Sequence, residues 1–421
     1  MAVILFAVSY GLILALPKMR AYVALLSGGL YILSGMLPIG DIPSALDANV
    51  ILTLVGIMGL VALFCESGMP SLMAELIMER VPNVRWAAVT LSLFAGAISA
   101  FVDNVATVLM LAPVGIEICK KLRTDPVPFI IGIAVSSNLQ GAATLVGDTT
   151  AIILGSALDL SFNDFFFFDG KPSIFFAVEI GALLAAVILY YIFRRETEKI
   201  PHLGMRTRVS DPFPTILLSV LVAVLIAISF VPSKPDATNG IITCLFLAVG
   251  LIARTARQRS VDGIKTVISG IDFDTVLLLV GLFLMIGGLE RSGAVNAAAE
   301  YLAGLGGGNA FFLYTVTVFG SVIISAFIDN IPYTATMLPI IISVAERMNL
   351  DPTPFCFGLV CGSTLGGNCT PVGAAANVAG IGILRRSGYD VRNPDFLRIG
   401  IPFTVAAVLP AYIFIWFFFG T

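Results

Sequence analysis

Three aspartates stand inside long apolar stretches of this chain. Asp103 falls in Phe101-Val-Asp-Asn104, Asp148 in Gly147-Asp-Thr-Thr150, and Asp329 in Ile328-Asp-Asn-Ile-Pro332. A charged carboxylate in hydrocarbon costs about 3 kcal/mol or more, and such groups usually line ion or proton paths. The sequence places no Lys or Arg at the same depth, so the chemistry expected is reversible binding of a proton or a hard cation. Na⁺ is expected at Asp103, Asn104, Asp148, Asp329 and Asn330. Hydroxyls and amides that can complete a coordination shell follow in both regions: Thr107, Asn138, Thr144, Thr149, Thr334, Ser363, Thr364, Asn368, Thr370 and Asn377. The plainer role for each aspartate is to cap the helix that follows it. For each threonine it is a bond to its own helix backbone.

Those residues recur. Shifting the sequence by 226 positions lays Ile98–Thr150 on Ile324–Ala376 without a gap, with 19 of 53 residues identical. The identities include Asp103-Asn104 on Asp329-Asn330, Pro113 on Pro339, Asp125-Pro126 on Asp351-Pro352 and Thr144 on Thr370. A repeat of half the chain implies two structural halves rather than a solenoid. Gly141, Gly147, Gly367 and Gly373 are also shared and are expected to permit unwound backbone. Side chains at the presumed site diverge: Asp148 matches Ala374, Asn138 matches Thr364 and Ala142 matches Asn368. The halves are therefore expected to share a backbone and to divide the binding chemistry.

The composition fixes the surroundings. Hydrophobic residues make up 58% of the 421, charged ones 12%, and the mean hydropathy is +0.98. Soluble domains carry roughly a quarter charged residues, so an all-α polytopic membrane protein is expected. The net charge of −3 and the lack of a basic patch give no reason to expect nucleic acid as a partner. Val3–Leu16 is apolar with its first cations after it, the reverse of a signal peptide, and reads as a first span.

The first half, 1–193, is expected to hold scaffold helices in 1–85 (spans at 3–17, 21–38 and 49–66, then an amphipathic surface helix) and 173–193. Between them lie a re-entrant hairpin at 86–120 with Asp103-Asn104 at its tip, and a broken helix at 128–160. A basic linker, 194–212, leads to a second half, 213–421. It repeats the order: scaffold helices in 213–290 and 399–419, a hairpin at 309–345 and a broken helix at 354–384. Apolar runs of 17–25 residues suit bilayer crossing, whereas stretches interrupted at mid-length suit half-helices lining a cavity. With both termini outside, the only cations left outside are Lys171, Lys234, Arg291 and Arg347; the other twenty fall inside, as the positive-inside rule favours. Five crossings per half then invert the second half relative to the first, an arrangement common in secondary transporters.

Other polar residues have simpler expectations. Glu117 should pair with Lys120 or Lys121, Glu179 is a candidate for a proton path, and His202, the only histidine, belongs to the solvated linker. Six scattered cysteines read as buried small residues.

Phe101-Val-Asp-Asn with Asn138-x-x-Gly-Ala-Ala-Thr-Leu-x-Gly-Asp148 resembles the first half of the ArsB/NhaD/P-protein permeases of the ion transporter superfamily. Ile328-Asp-Asn-Ile-Pro-x-Thr-Ala-Thr-Met337 with Gly366-Gly-Asn-x-Thr-x-x-Gly-Ala-x-Ala-Asn377 resembles their second half. More distantly the chain is similar to divalent-anion/sodium symporters and citrate permeases, which carry Ser-Asn-Thr where Asp103-Asn104 and Asp329-Asn330 stand here. It departs from the Gly-Asp-Pro-Pro pattern at Thr149-Thr150. The resemblance implies a homodimer in a cell (inner) membrane, with a scaffold and a mobile transport domain in each protomer.

Ion-coupled secondary transport follows, with Na⁺ or H⁺ as coupling ion and no other cofactor. Cation/proton antiport is the favoured form, and permeation of a small anion (a carboxylate, an arsenite-like oxyanion or chloride) is the alternative. A passive channel would use the same lining groups. An aspartyl hydrolase built on Asp103 and Asp329 has no need of a duplicated half, and no nucleotide-binding motif supports an ATP-driven pump.

Overall fold

The computed structural model describes residues 1–122, 124–199, 207–231, 234–235, 237–258, 262–305 and 308–420. The helices of the first half are α1 (Ala2–Ala15), α2 (Arg20–Leu33), α3 (Ile42–Ala45), α4 (Ala48–Glu66), α5 (Met69–Met78), α6 (Val84–Ser99), α7 (Asn104–Leu122), α8 (Pro126–Gly141), α9 (Thr149–Ala157) and α10 (Ile174–Ile192). The second half gives α11 (Phe213–Ile228), α12 (Thr238–Gln258), α13 (Asp262–Ser269), α14 (Phe273–Arg291), α15 (Ala294–Leu305), α16 (Ala310–Ser325), α17 (Asn330–Arg347), α18 (Thr353–Gly366), α19 (Ala375–Arg386) and α20 (Asn393–Phe419). From α4 and α14 onward the order of long, short and broken helices is the same in both. A two-stranded hairpin, β1 (Phe167–Phe168) and β2 (Lys171–Pro172), lies between α9 and α10.

Sequence explains where these helices start and stop. Asp47, Asn83, Asp125, Asp272 and Asn309 each accept a bond from the first turn that follows, satisfying amides the helix cannot pair itself. Among the described residues five helices, α4, α10, α12, α14 and α20, are long and apolar enough to cross a membrane. By contrast α6 and α16 have 16 residues each, about 24 Å of helix, and α8/α9 and α18/α19 are split at the glycine-rich breaks.

One expectation changes here. The first two spans, expected as longer rods at 3–17 and 21–38, are the 14-residue helices α1 and α2, which bend by 111° at their junction. Leu16 leaves the helical region and Pro17 starts a new turn without an amide to donate, so the apolar run does not continue as one rod. Within Glu66–Arg85, the stretch read as a surface helix, α5 packs against α6 and α7. Its buried Glu75 accepts bonds from the amide and hydroxyl of Thr207.

The halves interlock. α2 packs on α14 and α4 on α12; α9 packs on α17 and α18, while α19 packs on α7 and α8; α10 packs on α20. Each contact is matched by its partner when the halves are exchanged. The end of α10 and the start of α20 line one cavity, while Lys171, just before α10, lies over the ring of Phe419 at the end of α20. These two helices are therefore antiparallel.

Candidate functional site

The breaks are held open by backbone contact. A Cβ added to Gly147 would lie 2.6 Å from the Gly141 carbonyl and 2.9 Å from that of Ala100; at Gly373 the matching distances are 2.5 Å to Gly367 and 2.9 Å to Ala326. No side chain fits at either place, which is why the repeat keeps glycine. Thr144 donates its hydroxyl to the Ala100 carbonyl, and Thr370 to that of Ala326. Both threonines therefore fasten a break to the end of a neighbouring helix. Gly141 and Gly367 supply the facing carbonyls.

Between the breaks a line of polar groups joins the α6–α7 turn to the α16–α17 turn. Asn104 donates to Asn138 Oδ1 (2.9 Å), and Asn138 Nδ2 donates to the Thr364 carbonyl (2.7 Å) and to Asn368 Oδ1 (3.1 Å). Asn368 in turn donates to the Val135 carbonyl (2.9 Å). The Thr364 hydroxyl meets that of Thr150 at 2.9 Å. Thr150 donates to Asp148 Oδ2 (3.1 Å), and the same oxygen accepts from Asn330 Nδ2 (3.2 Å). The line thus runs Asn104, Asn138, Thr364, Thr150, Asp148, Asn330, from one turn to the other. All six are buried, where neutral donors hold a network together only if nearly every member is satisfied.

Asp148 also accepts from the Thr149 amide (2.7 Å) as cap of α9. Asp148 therefore caps α9 and belongs to the buried line of polar groups at once. Among the described residues it has no cationic partner: its donors are an amide N–H, a hydroxyl and a carboxamide.

The other two acids stand apart. Asp103 accepts from the Val105 amide (3.1 Å) and lines a cavity of about 650 Å³ with Glu66, Asp272, Ser71 and apolar residues of α4 and α7. Asp329 caps α17 through the Ile331 amide (3.1 Å) and takes a 2.6 Å ion pair from Arg20. This corrects the sequence reading, which left the aspartates without basic partners. Arg20 begins α2, where the chain turns by 111°, and this bend brings its guanidinium to the α16–α17 turn. Its unpaired look in sequence arose because the partner is 309 residues away.

The remaining candidates have local partners. The Thr107 hydroxyl bonds its own helix at the Asp103 carbonyl (3.0 Å). Thr334 and Ser363 share a hydroxyl contact (2.8 Å). Asn377 donates to the carbonyls of Gly367 and Thr370 (both 3.0 Å), and its buried Oδ1 has no partner among the described residues. Glu117 pairs with Lys121 at 3.7 Å. Half-buried Glu179 accepts from Gln140 at 3.4 Å. His202 lies outside the described residues. Among the described residues no three His, Cys, Asp or Glu side chains converge as a metal cluster. Sequence reasoning missed Arg20 and Thr150. Thr150 carried a signal, as the second threonine of the Gly-Asp-Thr-Thr run; Arg20 carried none.

Comparison with known proteins gives the class. The chain is 30% identical over 430 residues to an uncharacterized transporter of Mycobacterium tuberculosis, covering 100% of this chain and 99% of that one. It is 31% identical to a 46 kDa membrane protein of Mycobacterium leprae, covering 99% and 97%. The P protein of Mus musculus is 26% identical over 95% of this chain and 58% of its own length. The crystal structure of the Alcanivorax borkumensis YdaH transporter, described as having an unusual topology, superposes with a TM-score of 0.60 at 15% identity. It covers 90% of this chain and 87% of that one, and shows the likeness of fold. The protein is an integral membrane transporter, not an enzyme. It belongs to the citrate transporter family CitMHS, whose model matches residues 4–264 and 241–421.

Proposed function

We propose that this transporter is a secondary, ion-coupled one that exchanges Na⁺ or a like cation for protons at Asp148, by alternating access. The observation that carries this is the burial of Asp148 among neutral donors with no cationic partner among the described residues. An ionised carboxylate in such a place needs a proton or a metal cation to offset its desolvation. A coordination shell there would draw on one carboxylate plus the hydroxyls and amides of Thr150, Thr364 and Asn330. Asp103, on the cavity it shares with Glu66 and Asp272, is the natural relay between that shell and water. Antiparallel α10 and α20 support inverted halves, with the short α6/α7 and α16/α17 pairs as re-entrant hairpins. We assign the protein to a cell membrane with both termini outside, as a homodimer whose transport domain moves as an elevator.

A second reading, uptake of a small anion, is favoured by the family's description and by the Arg20 guanidinium at the second tip. The experiment uses purified protein in sealed liposomes with a pH-sensitive dye inside and an imposed gradient of Na⁺, K⁺ or Li⁺. Cation-dependent proton flux that disappears in Asp148→Asn supports exchange. Silence with every cation, together with uptake of labelled citrate, overturns it in favour of anion transport.

A further inference from the structure

The pseudo-symmetry of the molecule has one conspicuous break at its periphery. At the corner formed by the start of α18, the end of α20 and the start of α10, the segment Leu158–Ser173 fills the space. Phe168 packs against Phe357 and Phe419 (6.2 and 6.3 Å between ring centroids), and Lys171 covers Phe419. The matching corner lies between the start of α8, the end of α10 and the start of α20. There the connecting segment is the much shorter Ser387–Arg392, and a cavity of about 920 Å³ is left.

Its lining is mixed in charge. Asp125 caps α8, and Arg392 is closed on Asp395 in a capping box. That leaves Arg194, Arg195 and Arg398 beside Glu196 and Asp390, none of them in an ion pair among the described residues. Tyr389 lies in the same wall. Guanidiniums suit phosphate oxygens, and carboxylates suit an ammonium that can donate. From this corner exposed apolar side chains run along both helices: Leu183, Leu184, Val187 and Tyr191 on α10, and Ile401, Val405 and Leu409 on α20. A soluble ion has no use for such tracks; acyl chains do. Basic pockets between spans at the membrane surface are known headgroup sites.

We propose that this corner binds a phospholipid whose headgroup carries both a phosphate and a primary ammonium. Arg195 and Arg398 hold the phosphate, Asp390 and Glu196 accept from the ammonium, and the acyl chains lie on α10 and α20. The pairing predicts a ranking. Phosphatidylcholine keeps the phosphate but cannot donate from nitrogen, and phosphatidylglycerol adds a net negative charge against two carboxylates.

Native mass spectrometry of delipidated protein tests this, using the three lipids with identical acyl chains and, separately, free phosphoethanolamine. The expected result is phosphatidylethanolamine retained about tenfold over phosphatidylcholine, the value of one charge-assisted hydrogen bond. Asp390→Asn with Glu196→Gln should erase that difference, while Arg195→Gln with Arg398→Gln should lower retention of every phospholipid. Arg386→Gln, at the end of α19 and outside the corner, should change nothing. If the double glutamine variant is not monodisperse, Arg195→Lys with Arg398→Lys replaces it, with weaker retention but the same lipid order expected. Equal retention of the three lipids, a preference for phosphatidylglycerol, or unchanged retention in the arginine variants overturns the proposal. Competition by free phosphoethanolamine at concentrations matching the lipid also overturns it, and makes the corner a site for a soluble ligand.

Discussion

Asp148 and Asp329 differ in what faces them. Asp329 shares a 2.6 Å contact with Arg20, both side chains being about one-fifth exposed, whereas Asp148 is met by neutral donors alone. Removing one partner of the ion pair strands the other. Arg20→Gln is therefore expected to lower thermal stability, and Asp329→Asn in the same chain to recover part of the loss. The double-mutant coupling should be on the order of 1 kcal/mol, read from melting curves in one detergent. At Asp148 the loss should be functional. Thr150→Val removes one hydrogen bond to the carboxylate and should weaken apparent cation affinity roughly tenfold while leaving the melting curve nearly in place. A fall in stability without a change in affinity would make Thr150 a packing residue only.

At the scale of elements, the breaks between α8 and α9 and between α18 and α19 are set by close backbone approach. Gly147→Ala and Gly373→Ala force a methyl group onto carbonyl oxygens at 2.6 and 2.5 Å. Both are expected to reduce the yield of monodisperse protein and lower the melting temperature by several degrees. Gly382→Ala on α19, where nothing lies within 4 Å, serves as the tolerated control. These breaks were legible in the sequence because glycine, proline and the Asp-Asn pair recur at one fixed offset, and repetition separates constraint from accident. The bend between α1 and α2 was not legible: a single proline beside a run of leucine, alanine and valine reads equally well as a loop between two spans. The line of side chains from Asn104 to Asn330 was only half legible. Its members stood out as polar residues in apolar runs, but which half each would bond to depends on how the halves interlock. Asn138 reaches across 226 positions to Thr364, and nothing local in the chain announces that.

For the whole molecule, the cation distribution makes a prediction about sides. In a background where Cys65, Cys244 and Cys369, the partly accessible native thiols, are replaced, a membrane-impermeant maleimide added to whole cells should label Lys171→Cys and Lys234→Cys. Arg386→Cys should react only after permeabilisation. Equal labelling of all three before permeabilisation would sink the inverted arrangement. The interlock itself has a consequence for how this protein is made. While the first half is newly inserted, α2 and α4 lack α14 and α12, the helices they pack on. Asn138 lacks the carbonyl it binds, and Asp148 lacks the amide of Asn330. Such groups have no water to turn to inside a bilayer. Biosynthesis therefore passes through a stage in which a half-built site sits in lipid with its polar faces open, and the rate at which the second half arrives decides how long that exposure lasts.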